Sequence, residues 1–454
     1  MKEIVLEQRE FFNSNQTKDV AFRIAQLKKL KSLIKENEKS FDEAIFTDFK
    51  KSAFDNFTCE MALVYHDLDE AIKNVKKWSA KKPVKTNLLN QPGKSYVVPE
   101  PLGVSLVIGA WNYPFQLSFA PVIAAMAAGN TVVLKPSELP QNTSRIMAQV
   151  VNENFDPAYF TVVEGGVAET TELLAQKFDK IFFTGSVPVG KIVYQAAAKN
   201  LTPVTLELGG KSPAIIEADC DLPITVKRLV WAKFLNAGQT CIAPDYILVQ
   251  ESIKDLFLQK MVEEIEKEKF DVTNGNYVQI INQRNTERLA SMIDKEKVYS
   301  GGKVDIEKRI IQPTILSDVT WEDKIMQDEI FGPILPVLTY RDLSEAISQI
   351  KAHPRPLSCY IFTKNNRTKE RVLNEISFGG GAVNEAIMHI ANSSLPFGGV
   401  GNSGIGAYHG EAGFRTFSHY KSILEKPTWF EPSLKYFPHT KKKLNLIKWI
   451  MGQR

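Results

Sequence analysis

The chain has 454 residues, 44% hydrophobic and 24% charged, a composition that excludes disordered and fibrous classes and fits a soluble globular protein. A single core stops growing well below that length, so two or more domains of roughly 100 to 200 residues are expected. The net charge of +4 is small for the length and gives no support to a nucleic-acid partner. Four cysteines (Cys59, Cys220, Cys241, Cys359) lie far apart without a CxxC pair, which argues against a zinc site or a disulfide framework and favours a reducing compartment. The first ten residues carry acids where a signal peptide would be uninterruptedly apolar, and no run of 18 apolar residues exists to span a membrane. A cytoplasmic protein is expected.

In chain order, residues 1 to 82 carry apolar side chains at helical spacing, as at Phe22, Leu27, Leu30 and Ile34. Residues 83 to 103 change to Pro/Gly punctuation with alternating Tyr96 and Val98, the pattern of a projecting hairpin. A regular alternation follows, with strands at Val104–Ile108, Thr131–Leu134, Phe160–Val163, Lys180–Phe183 and Val204–Leu208, and helices between them. That rhythm predicts a parallel sheet covered by helices, with ligands at the carboxyl ends of its strands. Beyond Gly210 it resumes with Ile247–Gln250, Ile334–Leu338, Tyr360–Thr363 and Gly381–Val383, which predicts a second α/β domain.

Several segments carry candidate chemistry. Phe234-Leu235-Asn236-Ala237-Gly238-Gln239-Thr240-Cys241 puts a cysteine in a small, polar setting; such access and nearby donors favour a thiolate nucleophile, although a buried bystander is the commoner fate of a cysteine. Val204–Lys211 offers the carboxylate Glu207 where a strand breaks at two glycines, suited to a general base. Asn112, after the strand ending at Ile108-Gly109, reads as an oxyanion donor or a helix N-cap. Lys135 and Glu138 follow the next strand and suit ribose hydroxyls, or simply form a turn. Gly185 to Lys191 fits seven positions of a P-loop, but Ile192 lacks the hydroxyl the eighth requires and Pro188 removes an N–H, so an NTPase is disfavoured. The same turn at a helix start still suits a pyrophosphate. Gly399 to Gly404 has the spacing of a dinucleotide fingerprint without its strand and helix, and reads as a flexible, close-packed loop. Glu329 with Phe331 reads as a site acid and ring or as loop and core, and His409 as a surface histidine in preference to a ligand contact.

Together these motifs, with Leu395 to Gly401 and Tyr408-His409-Gly410, occur in the order that resembles the NAD(P)-dependent aldehyde dehydrogenases, the class 3 branch in particular. The resemblance covers nearly the whole chain, including the 34-residue spacing of Glu207 and Cys241. It implies an aldehyde dehydrogenase-like α/β fold: a Rossmann-type cofactor domain (1–83 and 103–207), a second α/β catalytic domain (208–411), and a small oligomerisation hairpin (84–102 with 412–430). A basic amphipathic tail (431–454) follows. The resemblance implies Cys241 as nucleophile, Glu207 as the base that activates water, and Asn112 as oxyanion donor. It further implies cofactor contacts from Trp111, Lys135, Glu138, Gly185, Ser186, Gly190, Glu329, Phe331 and His409. No metal is implied.

NAD is the expected cofactor, with NADP admitted, because Glu138 repels a 2′-phosphate. Medium or long aliphatic or aromatic aldehydes are the expected substrates, in a tunnel that would include Tyr65, Trp231 and Ile387. A homodimer is expected. The tail reads as a cap or dimer contact in preference to peripheral membrane contact. A CoA-acylating relative is the rival enzyme, disfavoured by Glu207, and a non-catalytic binding protein is disfavoured by the intact Cys241, Glu207 and Asn112. One departure from the family is Val278-Gln279, where it usually carries Gly-Arg, and there only local packing is in question.

Overall fold

A computed structural model describes residues 1–453 as two compact units, one of residues 1–78 with 101–419 and one of 79–100 with 420–453. In the larger unit, a six-stranded sheet runs in the order Gly404–Ile405, Val204–Glu207, Lys180–Thr184, Val104–Ile108, Thr131–Lys135, Phe160–Val162. Its last five strands are parallel. Both faces of these strands are covered, which is why they read as short continuous apolar runs. Gly404–Ile405 is the exception, an antiparallel edge laid beside Leu206 and Glu207. The glycine-rich loop before it is close-packed: a side chain at Gly399 would meet the Ser403 carbonyl at 2.1 Å.

A second, seven-stranded sheet in the same unit has the order Val298–Ser300, Thr314–Leu316, Ile334–Tyr340, Tyr246–Gln250, Pro213–Ile216, Ser358–Phe362, Gly380–Val383. The predicted strands are present within one or two residues of their expected ends. Pro213–Ile216 is an addition at the centre, hidden from the sequence pattern by its proline, which a strand tolerates at its first position.

The N-terminal segment 2–78 is helical, as its periodicity predicts: Lys2–Asn13, Val20–Glu36, Glu38–Phe49 and Ala62–Trp78, the last preceded by a wide π turn at Phe57–Met61. The last three pack around Gln116–Ala128, an Ala-rich helix buried almost all round, in one continuous apolar cluster, while Lys2–Asn13 lies against the strands Val104–Ile108 and Thr131–Lys135. The smaller unit holds a three-stranded sheet of Lys82–Val84, Lys94–Pro101 and Ser418–Glu425, and an exposed helix Lys441–Ile450. Among the described residues, no helix is long and apolar enough to cross a membrane.

Candidate active site

The loop before Cys241 owes its shape to three consecutive left-handed residues, Asn236, Ala237 and Gly238, at φ 52°, 51° and 71°. They fold the chain back after the helix Leu222–Phe234. Only glycine fits at 238, where a Cβ would lie 2.3 Å from the Gly332 carbonyl oxygen. The Gln239 side chain staples the turn, donating to the carbonyls of Asn236 (3.0 Å) and Gln279 (3.1 Å) and accepting from the Ile281 N–H (3.0 Å). The polar residues that suggested thiolate support are therefore committed to shaping the backbone. The departure at Val278-Gln279 lies directly against this staple, closer to the chemistry than the sequence indicates.

The Trp111–Pro114 loop is clasped to the same turn. Asn112 donates an amide N–H to the Gln239 carbonyl at 3.0 Å, and Asn236 donates to the Asn112 carbonyl at 2.9 Å. The Tyr113 hydroxyl lies 2.7 Å from Thr240 Oγ1. An amide carries two N–H bonds, and the bond to the Gln239 carbonyl uses one of those of Asn112.

Cys241 is partly exposed. Burial of its surroundings pushes the thiol up to about 12, with Glu329 and Glu207 adding to the rise. The N–H groups of Cys241 and Ile242 act against it. Glu207, at the end of its strand, is buried with both carboxylate oxygens lacking a hydrogen-bond partner, and burial holds its carboxyl well above the usual range.

Glu329 stands in contrast. Its carboxylate packs where a Cβ on Gly209 would come within 2.0 Å, so the glycine turn after Glu207 is shaped to receive it. Burial, then Asp245, pushes it up to about 8, while the Gly210 N–H and the charges of Lys211 and Arg288 oppose the rise. Its loop is tied down on several sides: Arg288 donates to the carbonyls of Glu329 and Ile330, Asp245 accepts from the Ile330 N–H, and Lys211 pairs with Asp245 at 2.6 Å. Asp245, Arg288 and Lys211 carry no motif that sequence reading would have singled out.

On the other side of the site, Trp111 and Phe331 meet edge to face at 5.2 Å, and Phe331 takes a left-handed backbone, φ 52°. Lys135 ends its strand buried, bonded to the Pro136 carbonyl at 2.7 Å and 4.0 Å from half-exposed Glu138. Gly185 and Ser186 form the turn into the helix Val187–Ala198, whose first N–H groups receive no side-chain cap; Thr184 Oγ1 beside them is buried and unpartnered. Exposed donors at a helix start, a buried lysine and a carboxylate at neighbouring strand ends fit the phosphates and ribose of a dinucleotide. Gly190 faces elsewhere: a Cβ there would strike Leu208 at 2.7 Å, so it serves helix-to-strand packing. His409 is buried, stacked on Phe397 at 5.4 Å, and shares a small chamber with His66, Asp67 and Gln116. The surface reading of His409 is thereby overturned. Ile387 is buried in the core cluster that Tyr65 and Cys241 pack against, whereas Trp231 stands exposed.

Residues 2–423 match the family model described as the aldehyde dehydrogenase family. The chain is 47% identical to a Staphylococcus aureus protein named 4,4'-diaponeurosporen-aldehyde dehydrogenase, over 97% of each chain. It is 46% identical to a Rattus norvegicus protein named aldehyde dehydrogenase, dimeric NADP-preferring, over 94% of each. The solved structure titled "Substrate bound state of Staphylococcus Aureus AldH" superposes with a TM-score of 0.97 at 45% identity, covering 99% of both chains. The chain thus belongs to the aldehyde dehydrogenase family, in its class 3 branch, and is an NAD(P)-dependent oxidoreductase that oxidises aldehydes.

Proposed function

We propose that this enzyme converts aldehydes to carboxylic acids through a cysteine thioester that water, not a second thiol, resolves. The observation that carries this reading is Glu207: a buried carboxylate with no hydrogen-bond partner, acting electrostatically on Cys241. A group so placed is costly to keep, and base catalysis on a water molecule justifies the cost.

Cys241 loses its thiol proton to water and its sulfur adds to the aldehyde carbonyl. The second N–H of Asn112 and the Cys241 backbone N–H stabilise the resulting oxyanion. Bound NAD(P) supplies the acceptor for the hydride that leaves the thiohemiacetal carbon. Glu207 then takes a proton from water as it attacks the thioester, and the acid departs with Cys241 restored. Lys135 and Glu138 would hold the adenosine ribose, Gly185 and Ser186 the pyrophosphate, Glu329 the nicotinamide ribose, and Trp111, Phe331 and His409 would border the nicotinamide; Gly190 supports the turn through packing. Glu138 favours NAD over NADP by repelling a 2′-phosphate. Apolar Tyr65 and Ile387 favour medium or long aliphatic or aromatic aldehydes. Mass spectrometry after turnover tests the scheme: an acyl group should be trapped on Cys241, acid should form without coenzyme A, and Cys241→Ala should show neither.

The remaining proposals concern setting. Four free cysteines fit a cytoplasmic protein. The eight-residue strand Ser418–Glu425 lies at the edge of its sheet, a position that suits pairing with a second copy; this favours a homodimer and is checked by light scattering. The exposed Leu444, Leu446, Trp449 and Met451 of the tail extend that contact surface in this reading. Selective pelleting of the full-length chain with anionic liposomes, compared with a chain ending near Pro432, would instead assign the tail to a membrane surface.

A further inference from the structure

The helix Gln116–Ala128 begins directly after the loop that carries Asn112, and no side chain of that loop caps it. Its first N–H groups are buried and need acceptors. They find one in Glu60, 55 residues earlier in the chain: Glu60 Oε2 accepts from the N–H of Phe115 (2.8 Å) and of Gln116 (3.3 Å). Glu60 Oε1 accepts from Lys51 Nζ at 2.7 Å, and both side chains are essentially sealed from solvent. Lys51 in turn sits 4.6 Å from the centre of the Tyr113 ring, whose hydroxyl meets Thr240, the neighbour of Cys241.

The backbone is bent twice to make this arrangement. Lys50 adopts a left-handed conformation, φ 58°, that ends the helix Glu38–Phe49 and turns Lys51 inward. Glu60 projects from the π turn Phe57–Met61, a rare conformation found disproportionately at functional sites. A sealed ion pair is seldom a net gain in stability over apolar packing of the same volume. This one touches two points directly after Asn112: the Tyr113 ring beside it and the helix start that follows.

We propose that Lys51 and Glu60 are positioning residues for the oxyanion site, fixing the 111–116 segment so that the Asn112 amide faces the carbonyl carried by Cys241. The inference rests on the oxyanion role given to Asn112 above. The negative charge of Glu60 anchors the helix start, and the Lys51 ammonium, held against Glu60, pins the Tyr113 ring.

The test uses the full-length enzyme with NAD and compares Glu60→Gln, Asn112→Ala and their combination in the pre-steady-state NADH burst, with NAD affinity and the rate of Cys241 alkylation by iodoacetamide as controls. Glu60→Gln is expected to slow the burst by up to about 10²-fold, the scale of a misplaced catalytic group. Alkylation and NAD affinity should hold, and adding Glu60→Gln to Asn112→Ala should cost less than about twofold more, since the two act as one unit. Losses that multiply in the combined variant, or alkylation that slows with the burst, would overturn the inference. Lys51→Met/Glu60→Gln leaves no lone buried charge and decides the matter should Glu60→Gln fail to fold: a lost burst supports the inference and a wild-type burst refutes it. An unimpaired Asn112→Ala sinks the oxyanion reading and this inference with it, whereas an impaired Asn112→Ala with multiplying losses sinks this inference alone.

Discussion

Glu207 and Glu329 are two carboxylates that flank one sulfur, and the regions around them are built in opposite ways. The end of the strand Val204–Glu207 leaves its carboxylate without a single donor. The Glu329 loop is fastened by Arg288, Asp245 and Lys211, and its carboxylate receives the Gly210 N–H. An acid meant to take a proton must not be satisfied in advance, while an acid meant to hold a hydroxyl in one orientation benefits from a rigid seat. The difference in partners fits the base and clamp roles proposed for the two acids, although burial raises both groups.

The largest effect should come from Glu207→Gln. General-base catalysis contributes typically ~10²–10⁴-fold, so steady-state acid formation should fall by that range while the NADH burst survives and acyl enzyme accumulates on Cys241. Loss of the burst together with turnover would mean that Glu207 is needed before the thioester forms, and the contrast would fail. Glu329→Gln should cost less, about 10- to 150-fold, since one charge-assisted hydrogen bond to a hydroxyl contributes around 1.5–3 kcal/mol. That loss belongs in the burst and in KM for NAD, with hydrolysis of preformed acyl enzyme unchanged. A slowed hydrolysis would assign part of the base function to Glu329.

Much of this was legible from the chain. Strands such as Val104–Ile108 and Thr131–Lys135 are apolar runs bounded by turn residues, and their burial on both faces leaves periodicity little room for error. The residues proposed for chemistry lie at strand ends and in glycine-bearing turns, where side-chain type and local pattern are visible together. Lys51 and Glu60 were not legible, because nothing in a helical stretch reveals a π turn or a partner 55 residues away. His409 misled because the glycines and the acid near it in sequence suggest an open loop, whereas the ring it stacks on, Phe397, is distant in the chain. The staple role of Gln239 was hidden for the same reason: its partners at 279 and 281 are distant in the chain.

The smallest effect is thermodynamic and separates the two acids by pH. Both have folded-state values raised above the ordinary 4.5, Glu329 to about 8. For a raised acid the folded state binds the extra proton, so its stabilising contribution is complete below 4.5 and is lost as pH rises through the folded value. A neutral glutamine escapes that loss. Glu329→Gln should therefore gain Tm relative to the parent between about pH 4.5 and 8 and then level off, because ionisation is complete in both states above that point. Glu207→Gln should gain Tm over a window that also opens near 4.5, and with no opposing donor to lose, its gain carries no compensating penalty. A melting series across pH, read by calorimetry without cofactor, measures the two gains side by side. A Glu207→Gln variant less stable than the parent at neutral pH would show that the Glu207 carboxylate is held by partners after all, and the distinction between base and clamp would lose its physical footing.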